Sequence, residues 1–115
     1  METFSTEELS KYYWGKTDYL HLHFNAIDIK DENELGTLPP KYEGGEDGKT
    51  TVIEGYYFKN DGTFISHELT VGYKIVKGNW RLIDNHVIEK NVDGEIVKMR
   101  ITAFEPGKQL TIFYD

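Results

Sequence analysis

The chain has 115 residues, of which 38% are hydrophobic and 14% aromatic, with no cysteine and a formal charge of −7. That length has room for one domain, residues 1–115, able to bury most of its apolar surface without metals or disulfides. The missing cysteine excludes disulfide frameworks, thiolate nucleophiles and cysteine zinc sites, and the acidity disfavours nucleic-acid backbones and anionic membrane surfaces.

The opening METFSTEELS lacks the basic and apolar regions of an export signal. The chain as it stands is therefore expected in the cytoplasm, or outside it if such a signal has been removed. Ser5-Thr6-Glu7-Glu8 has the form of a capping box, and Leu9, Tyr12 and Tyr13 follow at helical spacing. These predict one short helix over residues 5–14, ended by Gly15 and placed to cover the open end of a sheet.

From residue 19 the period changes to two. Leu20, Leu22, Phe24 and Ala26 share one strand face, while Tyr19, His21, His23 and Asn25 share the other. Ile27 and Ile29 break that parity, which predicts a bulge or a twist. Residues 30–49, KDENELGTLPPKYEGGEDGK, are rich in acids, proline and glycine. They read as a long acidic loop that little burial can order.

The remainder reads as a meander. A strand over 51–59 meets the Asn60-Asp61-Gly62 turn, and strands over 63–69 and 71–76 follow, either separate or as one bent strand. Lys77-Gly78-Asn79 is expected to turn into a strand over 80–83, and Asp84-Asn85 into one over 86–91. Asp93-Gly94 leads to 95–104, and Glu105-Pro106-Gly107 to 109–114. About eight short strands with short connections make antiparallel neighbours. Closure on itself removes the exposed edges of such a meander. The fold class is all-β: an antiparallel up-and-down barrel with one short N-terminal helix.

Three stretches resemble the small lipocalin-like domains of bacterial exported proteins. Phe58, Asp61, Gly62 and Phe64 fit that family's F-x-x-D-G-x-[YF] hairpin. Gly78, Trp80, Leu82, Asn85 and Val87 fit its G-x-[WY]-x-[LI]-x-x-N-x-[LI] hairpin, and Ile101, Phe104, Leu110 and Ile112 approximate its closing pair. The family's opening G-x-W is replaced here by Trp14-Gly15-Lys16. The resemblance covers the C-terminal half. It implies a β-barrel that holds a small hydrophobic ligand and shares no catalytic residues.

Alternation places aromatic side chains of several strands on one face. Tyr56, Phe58, Phe64, Trp80, Phe104 and Tyr114 are the candidate ligand-binding set, because an eight-stranded barrel is just wide enough to be filled or to hold one small molecule. Trp80 is expected to point inward and close one end, as packed core rather than in ligand contact.

Other constellations are weaker. His21 and His23, with His67 or His86, have a spacing that could reach one metal ion; an ordinary polar strand face is the reading taken, so no metal and no cofactor are expected. Asp18, Asp28 and Asp31, or Glu43, Glu46 and Asp47, could pair for acid–base work only in a pocket. No catalytic triad or phosphate loop stands out. The resulting function is non-enzymatic binding of a small apolar or amphipathic ligand. The alternative is an acidic module, of inhibitor or immunity type, that meets a basic protein through its outer surface and the 30–49 loop. A small enzyme with a histidine or carboxylate in the barrel mouth ranks last.

Overall fold

The computed structural model describes residues 6–18, 22–29, 32–36, 39–42, 50–70, 72–84 and 86–114. A short helix α1, Thr6–Ser10, leads directly into strand β1, Tyr12–Lys16, and β2, His23–Asp28. A 3₁₀ helix at Glu32–Gly36 and the two-residue strands β3 (Lys41–Tyr42) and β4 (Thr50–Thr51) come next. Then follow β5 (Glu54–Phe58), β6 (Thr63–Thr70), β7 (Gly72–Ile83), β8 (Val87–Val92), β9 (Glu95–Glu105) and β10 (Gln109–Tyr114). Among the described residues no helix is long and apolar enough to cross a membrane.

The chain forms the closed, eight-stranded antiparallel barrel that its alternation predicts, in the order β1-β2-β10-β9-β8-β7-β6-β5. From β5 to β10 each strand pairs with its successor. The first hairpin sits the other way round, with β1 against β5 and β2 against β10. Closure gives each barrel strand a neighbour on both sides, although the first half of β7 pairs with β6 alone.

This order obliges the chain between β2 and β5 to pass over the outside of β1. Leu35 and Val52 of that connection are buried with Tyr13, Ile27 and Tyr57, and Ile29, Tyr42 and Ile65 pack around them. The first strands are therefore apolar on both faces, as in any sheet covered on both sides. This explains the broken parity at Ile27 and Ile29. No bulge is needed there, because Tyr13↔Ile27 and Trp14↔Ala26 pair in regular register. The irregularity lies between β9 and β10, where Ile101 opposes Ile112 but Ala103 opposes Thr111. The extra residue on β9 shifts the parity and returns Phe104 to the core.

Two further expectations are corrected. The helix ends at Ser10 rather than at residue 14, and Tyr12–Lys16 is strand. Aromatic side chains suit a pleated surface, and here Trp14 serves the interior cluster while Tyr13 serves the outer one. Ser5 and the capping box it would complete lie outside the described residues. The second correction is at Lys77-Gly78-Asn79, which does not turn: β7 runs unbroken from Gly72 to Ile83. It changes partner instead, pairing with β6 over residues 72–79 and with β8 over 79–83. Gly78 permits this crossing, because a Cβ there would collide with the Asn91 carbonyl and come within 2.9 Å of the Val92 side chain.

The expected turns at Asn60-Asp61-Gly62 and Asp93-Gly94 are present. Asp93 and Gly94 both hold positive φ, at 54° and 83°, as a type I′ hairpin requires. Asp61 Oδ1 accepts from the Thr63 amide at 2.9 Å, fixing the other turn. The main core fills the lower half of the barrel, where α1 caps the open end. Leu9 is fully buried, and its carbonyl accepts the Trp14 indole N–H at 2.8 Å.

Candidate functional site

Five of the six aromatic residues singled out by alternation belong to one core cluster, in which Phe58 and Phe64 are direct cross-strand partners, and Tyr114 adjoins it through Tyr56. Phe58, Trp80 and Phe104 belong to the packed end. The Trp80 ring lies 5.1 Å from that of Phe58, and its indole N–H donates to the Lys59 carbonyl at 2.6 Å. Phe104 packs at 5.7 Å against Trp14, close to the helix. Trp80 thus points inward and ties β7 to the β5–β6 turn, which closes that end.

Tyr56 and Phe64 continue the same cluster toward Lys90, and Tyr114 is 38% exposed beside them. Tyr56 and Phe64 are buried, with ring centroids 5.5 Å apart, and the Tyr114 hydroxyl is hydrogen-bonded to that of Tyr56. Above them lies Lys90, with its Nζ 5.5 Å from the Tyr56 centroid, 5.5 Å from Phe64 and 5.7 Å from Tyr114. Ring faces attract an ammonium electrostatically. Burial pushes the Lys90 amine below its ordinary range, and Glu68 and Glu95 pull it back up. Burial, then the charge of Glu54, raises the Tyr114 phenol to about 12.

Lys90 also lines a cavity of about 530 Å³ at the mouth of the barrel. The cavity exists because β7 leaves β8 at Asn79, so its first half and the tip of the β8–β9 hairpin stand apart. Ile75, Val76, Val92 and Val97 supply its apolar wall, and its charges are those of Glu68, Lys74, Lys90 and Glu95, with Lys77 and Asp93. Lys16 is buried near the mouth, 3.9 Å from Glu54.

Glu68, Lys74, Lys90 and Glu95 are not among the site residues that the sequence suggests. The signal was present in VIEKNV, where Ile88, Lys90 and Val92 share a face, so a lysine points inward between two apolar neighbours. In TFISHELT, likewise, Phe64, Ser66 and Glu68 share one face. The polar set that did draw notice is dispersed. His23 bonds to the Thr111 hydroxyl at 2.9 Å on the outer wall, His67 is buried beneath the β2–β5 connection, and His86 is exposed. His21, Asp31, Glu43, Glu46 and Asp47 lie outside the described residues, while Asp18 and Asp28 are exposed.

The architecture is consistent with a lipocalin-like barrel and compatible with a binding domain. No protein-family model, curated protein or solved structure matches the chain.

Proposed function

We propose that the protein is a binding domain of lipocalin-like type, one that holds a small amphipathic molecule in the mouth of its barrel and performs no chemistry on it. The observation that carries this reading is the cavity of about 530 Å³, which falls within the usual range for small-molecule sites. Its wall sets Ile75 and three valines beside six charged residues of both signs. Tyr56, Phe64 and Tyr114 would form the floor beneath Lys90. Phe58, Trp80 and Phe104 would support that floor from the packed end.

Trp80 is the natural reporter, because it opposes Lys90 directly in the β7–β8 register. In a Trp14→Phe background, titration with an anilinonaphthalene sulfonate probe should be saturable and should shift Trp80 emission in step. Val97→Trp, which fills the cavity, should weaken that binding. Absence of saturable binding with this probe and with a panel of amphiphiles would overturn the reading, and would turn attention to the outer surface and a basic protein partner.

A further inference from the structure

The mouth of the barrel carries charges of both signs that act on one another without closing into ion pairs among the described residues. Glu68 and Lys74 are cross-strand partners on β6 and β7, and Lys90 and Glu95 come from β8 and β9. All four line the same cavity, and Lys77 and Asp93 add one further charge of each sign to its lining. Among the described residues none of them closes an ion pair, whereas Lys16 and Glu54 do so on the neighbouring strands. Lys90 rests on three aromatic rings instead of on a carboxylate. One step below Glu68 on the same strand face, the Ser66 side chain is fully buried and its hydroxyl has no hydrogen-bond partner among the described residues.

Such a mouth discriminates by charge pattern. A simple anion would be drawn to Lys90 and Lys74 but repelled by Glu68 and Glu95, and a simple cation would meet the reverse. A neutral amphiphile would use the valines and leave every charge to water. Only a molecule with both signs gains from both sets, and specificity is the difference between such sums. We propose that the mouth takes a small zwitterion, with an ammonium and a carboxylate on one short apolar stem. Its carboxylate would face Lys90 and Lys74, its ammonium the carboxylates of Glu68 and Glu95, and its stem Val76, Val92 and Val97. This deepens the binding reading above and rests on it.

Calorimetry on the full chain with norleucine, hexanoate, hexylamine and hexanol tests it, because these share a similar stem and differ in charge. Norleucine should bind about tenfold more tightly than any of the other three, a difference well outside error. Glu68→Gln and Lys90→Met should each remove that preference, and Lys90→Arg should keep it. Circular dichroism checks folding, and should Lys90→Met fail to fold, Glu68→Gln decides alone. Equal binding of norleucine and hexanol would overturn the zwitterion while leaving the mouth as a site, as would a preference for hexanoate or hexylamine. No binding by any of the four, together with no saturable probe binding, would overturn both readings.

Discussion

Tyr13 and His67 meet on the outer wall of the barrel, Oη to Nδ1 at 2.7 Å, both fully buried beneath Leu35 and Val52. Burial holds the Tyr13 phenol far above its ordinary range, with Tyr73 and Glu54 adding to the effect, so it remains a donor. Nε2 of the imidazole has no partner in hydrogen-bond geometry, although the Leu35 backbone nearby favours its proton. The pair therefore reads as Tyr13 donating to Nδ1, with the imidazole proton on Nε2.

A pH dependence follows. Burial lowers His67 from its ordinary 6.5, and the Leu35 contact only partly opposes this. Below that value the unfolded chain takes up a proton that the folded chain resists, so protonation favours unfolding. The stability tied to His67 is complete above the ordinary value and is lost as pH falls toward the folded one. Urea midpoints should drop between neutrality and about pH 5, and His67→Phe should flatten that part of the curve. Tyr13→Phe at neutral pH should cost about 1–3 kcal/mol, since it leaves a buried ring nitrogen unpaired.

The β7 crossing should tolerate no side chain at position 78. In Gly78→Ala the new methyl meets a backbone carbonyl, that of Asn91, which cannot rotate away. Either β7 and β8 part or β8 shifts, at a cost of about 1–3 kcal/mol. Chemical denaturation measures the loss, and amide exchange at residues 79–83 and 87–91 should accelerate with it.

Large residues should distinguish the two ends of the barrel. Phe58 is fully buried against Tyr56, Phe64 and Trp80, so Phe58→Trp should cost about 1–3 kcal/mol through overpacking. Val97 borders the cavity, and Val97→Trp should change stability by less than Phe58→Trp does. Equal losses in thermal or urea unfolding would mean that the mouth is as closely packed as the base.

Tyrosine titration offers a further check. Tyr114 should ionise near 12, two units above its ordinary value of 10.0, because burial and Glu54 oppose the phenolate. A raised acid stabilises the fold below the unfolded value and loses that contribution as pH rises through the folded one. Absorbance of the folded protein should therefore develop less than the full phenolate signal at about pH 11, and Tyr114→Phe should remove a component from the late phase.

Much of this architecture could be read from periodicity. Inward and outward residues alternate from β7 to β10 because those strands separate a core from solvent, and Asp-Gly turns mark the ends because few other residues accept their backbone angles. The aromatic set was legible for the same reason. Local pattern fails where a residue answers to two surfaces or to a distant backbone. Tyr12-Tyr13-Trp14 has helical spacing, but it becomes strand because Trp14 fills the barrel and Tyr13 the outer cluster. Gly78 looks like a turn, but it is the point where Asn91, thirteen residues on, passes too close for a side chain.

The sequence by itself determined an acidic, cysteine-free, closed antiparallel barrel with aromatic interior residues, because side-chain alternation and turn chemistry are local properties. Tertiary structure decided the reversed placement of the first hairpin, the burial of His67 under the β2–β5 connection, and the place of Lys90 over the rings of Tyr56, Phe64 and Tyr114. It also decided the candidate site. Glu68, Lys74, Lys90 and Glu95 come from four strands, and they line one cavity only because β7 changes partners at Asn79.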